Sequence, residues 1–331
     1  MLCRTPADPV LVLMTLLAGR DYPRSYREFA TWFPDDSACA EFLETLRWPN
    51  GFTCPACGIV REPWRESRGR LVCRACRHQT TVTVGTILEK TRTPLTIWFE
   101  AAWHVTTTKN GFSAKSLERT LGIRYRVAWT LLQRFRVAMV RAERRPLSGI
   151  VEVDEALVGG VEHDGKRGRG TEKPIVAISL EIHQPKGFGR VRMRQVPDAS
   201  DASLRPFVCE TVAPGSIVHT DGWSGYNRLS QSGYVHQRTI MSASDDPAHV
   251  AMPGVHRIAS LLKRWILGTH QGSVSDEHLQ AYLEEFTFRF NRRTSRSRGL
   301  VFRRLLEQLV VTAPVSESEL IHGYDWLSYK I

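Results

Sequence analysis

Ile150-Val151-Glu152-Val153-Asp154 and Ser216-Ile217-Val218-His219-Thr220-Asp221 are the stretches whose reading decides the fold. Each is a short β-branched run that stops at an aspartate, and each predicts a strand. Both acids therefore sit where a strand ends, the usual place for site residues in α/β folds. Working outward, Lys173–Ile182 and Gly189–Val196 predict two more strands. Ala202–Val212 predicts a helix between the third and fourth strands. The order is β-β-β-α-β.

That order suggests a ribonuclease H-like α/β core with a mixed sheet. In such a topology the first and fourth strands lie side by side, which brings Asp154 and Asp221 together. His256 follows Asp221 by 35 positions and opens a predicted helix, His256–Leu267. At about 100° per residue, His256, Ser260 and Lys263 share one face of this helix. Ile258, Leu261, Leu262, Trp265 and Ile266 fall on the other face, which predicts burial there. Further helices are expected at Asp276–Arg292 and Leu300–Val311.

Two carboxylates and an imidazole converging in this way can hold divalent cations for phosphoryl chemistry. Mg²⁺ prefers oxygen donors, whereas Mn²⁺ tolerates imidazole better. Lys263 would hold a phosphate beside the attack site. Each residue also has a plainer reading. A strand-end aspartate is most often a turn residue, and a lone histidine an ordinary surface one. Glu152 and Glu155 flank Asp154 and are alternative ligands. Strand alternation sets Glu152 on the face of Asp154, in a supporting place.

Upstream, Cys54-Pro55-Ala56-Cys57 and Cys73-Arg74-Ala75-Cys76 are separated by fifteen residues. Two such turns complete a tetrahedral four-thiolate shell, so residues 51–90 are expected to form a ribbon around a structural zinc. A closed four-cysteine shell leaves no open position for catalysis. Trp64–Val72 and His78–Val84 supply the ribbon strands, and Arg70, Arg74, Arg77 and His78 its positive charge. Cys3, Cys39 and Cys209 are scattered, as buried or free thiols.

Between ribbon and core, Ser113–Gly122 reads as a capped helix ending in glycine. Tyr125–Val140 then carries an apolar stripe of Val127, Ala128, Leu131, Leu132 and Phe135. Helix, glycine turn and basic helix make a helix-turn-helix candidate, with Arg124, Arg126 and Arg134 facing phosphate or bases. The plainer alternative is a helical hairpin packed between domains.

Composition agrees with a nucleic-acid partner. The 331 residues are 42% hydrophobic and 24% charged, which describes a folded globular chain and excludes a disordered one. The formal charge is +11, and a polyanion is the natural partner of such an excess. Lys115–Arg145 holds nine basic residues against two acids, and His256–Arg304 ten Lys or Arg against four. Val10–Ala18 is too short to span a bilayer and lacks the flanks of a signal peptide, so it reads as a buried helix. A cytoplasmic protein without membrane attachment is expected. The expected organisation is a helical segment (1–50), the zinc ribbon (51–90), a helical helix-turn-helix-like region (91–147), the catalytic domain (148–312) and a C-terminal tail (313–331). Within the last domain, residues 227–252 look polar and irregular.

VEVDEALVGG (151–160), HTDGWSGY (219–226) and HRIASLLKRWILGTHQG (256–272), followed by HLQAYLEEFTFRFNRR (278–293), resemble bacterial insertion-sequence transposases. The similarity is to the ISXO-type group of DDE transposases, which begin with a zinc ribbon, and it spans roughly residues 24–311. It implies binding of double-stranded DNA at terminal inverted repeats. It also implies metal-dependent strand cleavage and transfer into target DNA, and a homo-oligomer during catalysis. It places the first and second acids on Asp154 and Asp221. The third residue of the group, commonly Glu or Asn seven positions before Lys or Arg, falls here on His256, before Lys263. Two other functions fit parts of the chain: a non-catalytic DNA-binding regulator, and a metal-dependent nuclease without strand transfer.

Overall fold

A computed structural model describes residues 16–141, 144–159, 173–185, 187–239, 252–272 and 274–324. Cys3 and most of Val10–Ala18 lie outside these residues. Helix α1 (Tyr26–Trp32) starts at Ser25, and α2 (Asp36–Arg47) at Asp35, whose carboxylate accepts the Ala38 N–H at 2.9 Å. The ribbon follows, with β1 (Trp64–Glu66), β2 (Arg70–Val72) and β3 (Gln79–Thr80) in antiparallel order. Then come α3 (Leu95–Thr107), α4 (Ala114–Leu121) and α5 (Tyr125–Ala138). Ser113 caps α4, and Gly122 ends it in the left-handed conformation.

The larger sheet begins with a meander of β4 (Ile150–Leu157), β5 (Ile175–Ile182) and β6 (Phe188–Val196). Helix α6 (Asp201–Thr211) returns the chain to β7 (Ile217–Asp221), which pairs parallel to β4. A fifth strand, β8 (Val235–Thr239), adds parallel to β7. The sheet order β6-β5-β4-β7-β8 is ribonuclease H-like. β8 corrects the expectation that residues 227–252 are irregular. It is an edge strand with mostly exposed side chains, so no apolar alternation marks it. Residues 240–251 of that stretch lie outside the described ones.

Helices α7 (Pro253–His270) and α8 (Asp276–Phe290) follow, then α9 (Arg298–Leu309) and α10 (Glu317–Ile321). One sheet face packs on α7 and α8 through Val176, Ile178, Leu180, Ile258, Leu262 and Leu283. The other packs on α6 through Val151, Val153, Ala177, Val218, Leu204 and Phe207. β5 is covered on both faces, which explains why its apolar residues do not alternate with polar ones from Ile175 to Ile178.

A separate helical core unites Phe29, Leu43, Trp98, Phe99 and Phe135 with Phe302, Leu305 and Leu306. The expected catalytic domain extended through residue 312, but α9 is buried among the N-terminal helices. An amphipathic stripe shows that a helix is buried without showing against what. The tail likewise holds α10, started by a capping box of Ser316 and Glu319.

Candidate active site

The site is built where β4 and β7 run parallel. Their pairing sets Ile150 opposite Ile217 and Glu152 opposite His219. Carried one pleat further, it sets Asp154 level with Asp221, with both side chains on the face that carries α7. Asp154 Oδ1 accepts the Glu155 N–H at 2.9 Å. Asp221 Oδ1 accepts the Trp223 N–H at 3.0 Å, which turns the chain sharply after β7.

Helix α7 contributes the third side chain. The helix starts at Pro253, so His256 stands inside its first turn instead of opening it. His256 Nδ1 lies 3.9 Å from Asp154 Oδ2, with the two side chains 36% and 17% exposed. Lys263 joins them in a cleft of about 270 Å³ lined by Asp154, Leu157, Ile178, His256 and Lys263. Asp221 lies on the neighbouring strand outside this cleft. Ile258, Leu262 and Ile266 are buried on the opposite side of α7, as its apolar stripe predicts.

Glu155 also lines this cleft and accepts the Tyr226 hydroxyl at 2.8 Å. Tyr226 is fully buried. That burial, reinforced by Glu155 and then by the Asp154 and Asp221 charges, raises its pKa well above the ordinary phenol value. Trp223 donates its indole N–H to Ala199 O at 2.6 Å. The Gly-Trp-Ser-Gly-Tyr stretch after Asp221 is thus a buttress under the acids. Residue-by-residue reasoning missed it; two aromatics straight after a strand-end aspartate were the available signal.

The four ribbon cysteines converge as expected, with Sγ–Sγ distances of 3.6 Å for Cys54–Cys76 and 3.7 Å for Cys57–Cys73. Among the described residues they are the one group of three or more metal-binding donors lying within 4.8 Å of one another. Asp154, Asp221 and His256 form a wider, more open set. The ribbon's two turns match. Gly58 and Arg77 each donate an N–H to the carbonyl four residues back, and each has positive φ. Arg77 also stacks on Trp64, 4.2 Å from the ring centroid. The donor set fits a closed, structural zinc site.

In the helix-turn-helix candidate, Arg124 and Arg126 lie at the exposed start of α5. Arg126 is paired with Glu317 of α10 at 2.7 Å. Arg134 was expected to face DNA, but it is half-buried near Trp98, because the second half of α5 belongs to the helical core. No helix among the described residues is long and apolar enough to cross a membrane.

Parts of the chain are similar to known proteins. Residues 146–291 match the model of the ISXO2-like transposase domain, and residues 34–79 that of the transposase zinc-ribbon domain. An uncharacterized protein in transposable element ISH50 of Halobacterium salinarum is 27% identical over 280 residues, covering 78% of this chain and 91% of that protein. An uncharacterized transposase-like protein of Haemophilus influenzae is 29% identical over 116 residues, covering 35% of this chain and 93% of that protein. Among solved structures, the catalytic core domain of BIV integrase is similar over 45% of this chain and 86% of that one, at 15% identity and a TM-score of 0.29. The two family models match one chain in the order of the sequence motifs, an ISXO2-like transposase domain behind a transposase zinc-ribbon domain.

Proposed function

We propose that this transposase binds the terminal inverted repeats of its element and cuts and joins DNA strands at Asp154, Asp221 and His256. The observation that carries the proposal is the register of β4 and β7. Continued past its last pair, Glu152 and His219, it supports a site with Asp154 of β4 beside Asp221 at the end of β7, and His256 Nδ1 lies 3.9 Å from Asp154. Two carboxylates and an imidazole are a suitable donor set for Mg²⁺ or Mn²⁺. Asp154 and His256, 3.9 Å apart, would hold such an ion together.

Divalent metal held there supplies an activated water or 3′-hydroxyl and stabilises the oxygen that leaves. The protein's own groups position the DNA. Lys263, two turns along α7 from His256 and in the same cleft, offers a cation to the phosphate beside the scissile bond. Tyr226 and Trp223 hold the turn after Asp221 in place. Arg124 and Arg126 at the start of α5, with Lys115 and Arg119 on α4, present charge to the DNA ends. Joining two ends requires more than one copy, so the working form is a homo-oligomer.

The test is metal-dependent cleavage and joining of the element's own ends, wild type against Asp154→Ala. Loss of both steps with retained end binding is expected. Cleavage by Asp154→Ala at the wild-type rate would refute the assignment.

A further inference from the structure

Helix α7 begins without a local cap. The residue before it is Met252, no side chain caps it locally, and Pro253 occupies its first position. The N–H groups of Gly254 and Val255 belong to the first turn, where a helix has no internal acceptors. Both are buried residues, so water does not readily replace the missing partners.

The acceptor comes from the sheet. Glu152 Oε2 accepts the Val255 N–H at 2.8 Å, across 103 residues of chain. The adjoining Gly254 N–H adds to the field that favours the charged carboxylate. Glu152 is 5% exposed and stands one pleat before Asp154, on the same face of β4. A carboxylate at a helix N-terminus also meets the positive end of the helix dipole. Gly254 makes the close approach feasible. A Cβ there would lie 2.7 Å from Glu152 Oε2 and 2.8 Å from the side-chain tips of Leu180 and Ile182.

One strand therefore deals with one helix twice. Its first acid holds the start of α7, and its second faces His256, the residue after the anchored Val255. We infer that Glu152 is a positioning residue: its carboxylate caps α7 from β4 and sets the distance between His256 and Asp154. The inference rests on the proposed reading of His256 as a site residue. Glu152 itself is turned toward the α7 backbone, so its role is to seat the helix.

The experiment uses the full, zinc-loaded chain in two measurements. The first is amide exchange in the absence of added Mg²⁺ or Mn²⁺, read on peptides covering residues 253–258. Glu152→Ala should exchange there about tenfold faster than wild type, the size expected of a lost helix cap, with peptides of the helical region unchanged. Glu152→Gln keeps an acceptor oxygen and should restore most of the protection. Gly254→Ala keeps the carboxylate but pushes the turn off it, and should match Glu152→Ala. The second is the Mn²⁺ midpoint for end cleavage, which should rise about tenfold in Glu152→Ala and Gly254→Ala while end binding is unchanged.

Wild-type exchange in both Glu152→Ala and Gly254→Ala would overturn the inference. So would faster exchange with an unmoved Mn²⁺ midpoint, because the cap would then not set the site. If Glu152→Ala does not fold, Glu152→Gln and Gly254→Ala decide the question alone. The proposed reading fails separately, by cleavage in Asp154→Ala or His256→Ala, neither of which touches the cap.

Discussion

Arg136 of α5 and Glu285 of α8 form an ion pair at 2.9 Å with side chains 2% and 1% exposed. The guanidinium also lies 3.9 Å from the centroid of Tyr282. This contact ties α5 to α8. Glu285→Gln or Arg136→Met leaves one buried charge without its counter-ion, which costs about 3–5 kcal/mol. At about 2–4 °C per kcal/mol for a unit of 150–250 residues, the melting midpoint should fall by about 6–20 °C. Replacing both partners, Arg136→Met with Glu285→Leu, removes the desolvated charges together and should recover most of that loss. The assay is thermal unfolding followed by near-ultraviolet circular dichroism, at fixed zinc loading and one scan rate. A chain with a metal site and two cores does not melt as a simple two-state unit, so only differences between variants are read. Single variants melting within about 1 °C of wild type would show that the pair is hydrated and refute the reasoning. A double variant as unstable as the two single losses added together would refute the coupling.

Metal analysis should find about one zinc per chain, and Cys57→Ser should lose it together with the ribbon fold; a folded zinc-free ribbon with four reactive thiols would contradict this. His256→Ala should lose end cleavage while retaining end binding, and His256→Glu should shift preference from Mn²⁺ toward Mg²⁺; metal titrations of the cleavage rate check both. Neutralising Arg124 and Arg126 should weaken end binding and flatten its dependence on log salt by about one unit per lost phosphate contact, as a salt series will read. His270 is buried against Trp265 and Tyr282, and burial lowers its pKa to about 4. Its folded pKa lies below the unfolded value of about 6.5, so the unfolded chain takes up the proton first as pH falls. Its contribution is whole above about pH 6.5 and is lost by about pH 4, on the order of 3 kcal/mol; His270→Phe should flatten this part of the stability profile in melts across that range.

What the chain discloses before folding depends on whether a residue's task is local. The meander, α6 and β7 are legible because β-branched runs and a helical period state their own conformation. The four cysteines are legible because ligand spacing is itself the geometry. β8 is not: Val235-His236-Gln237-Arg238-Thr239 sits on the sheet edge, where exposed side chains carry no burial pattern. The placement of α9 is also illegible, since its stripe of Val301, Phe302, Leu305 and Leu306 would serve either core equally well.

The candidate site divides in the same way. Asp221 announces itself at the end of β7, and His256 by its distance from Asp221 and its shared helix face with Lys263. Asp154 is expected at a strand end too, but β4 runs on to Leu157 because Glu155–Leu157 keep their pairing with β5. Strand alternation puts Glu152 on the right face but cannot show that its partner is a backbone N–H 103 residues away. Gly254 looks like a weak helix residue until the Glu152 carboxylate and the Leu180 and Ile182 side chains are seen where its Cβ would be. A helix that carries a candidate site residue has to be fixed along its axis as well as around it. The apolar stripe of α7 fixes its rotation. Its position along the axis is held at the first turn by a carboxylate from the strand that also carries Asp154, so helix and acid are placed relative to one another by a single element.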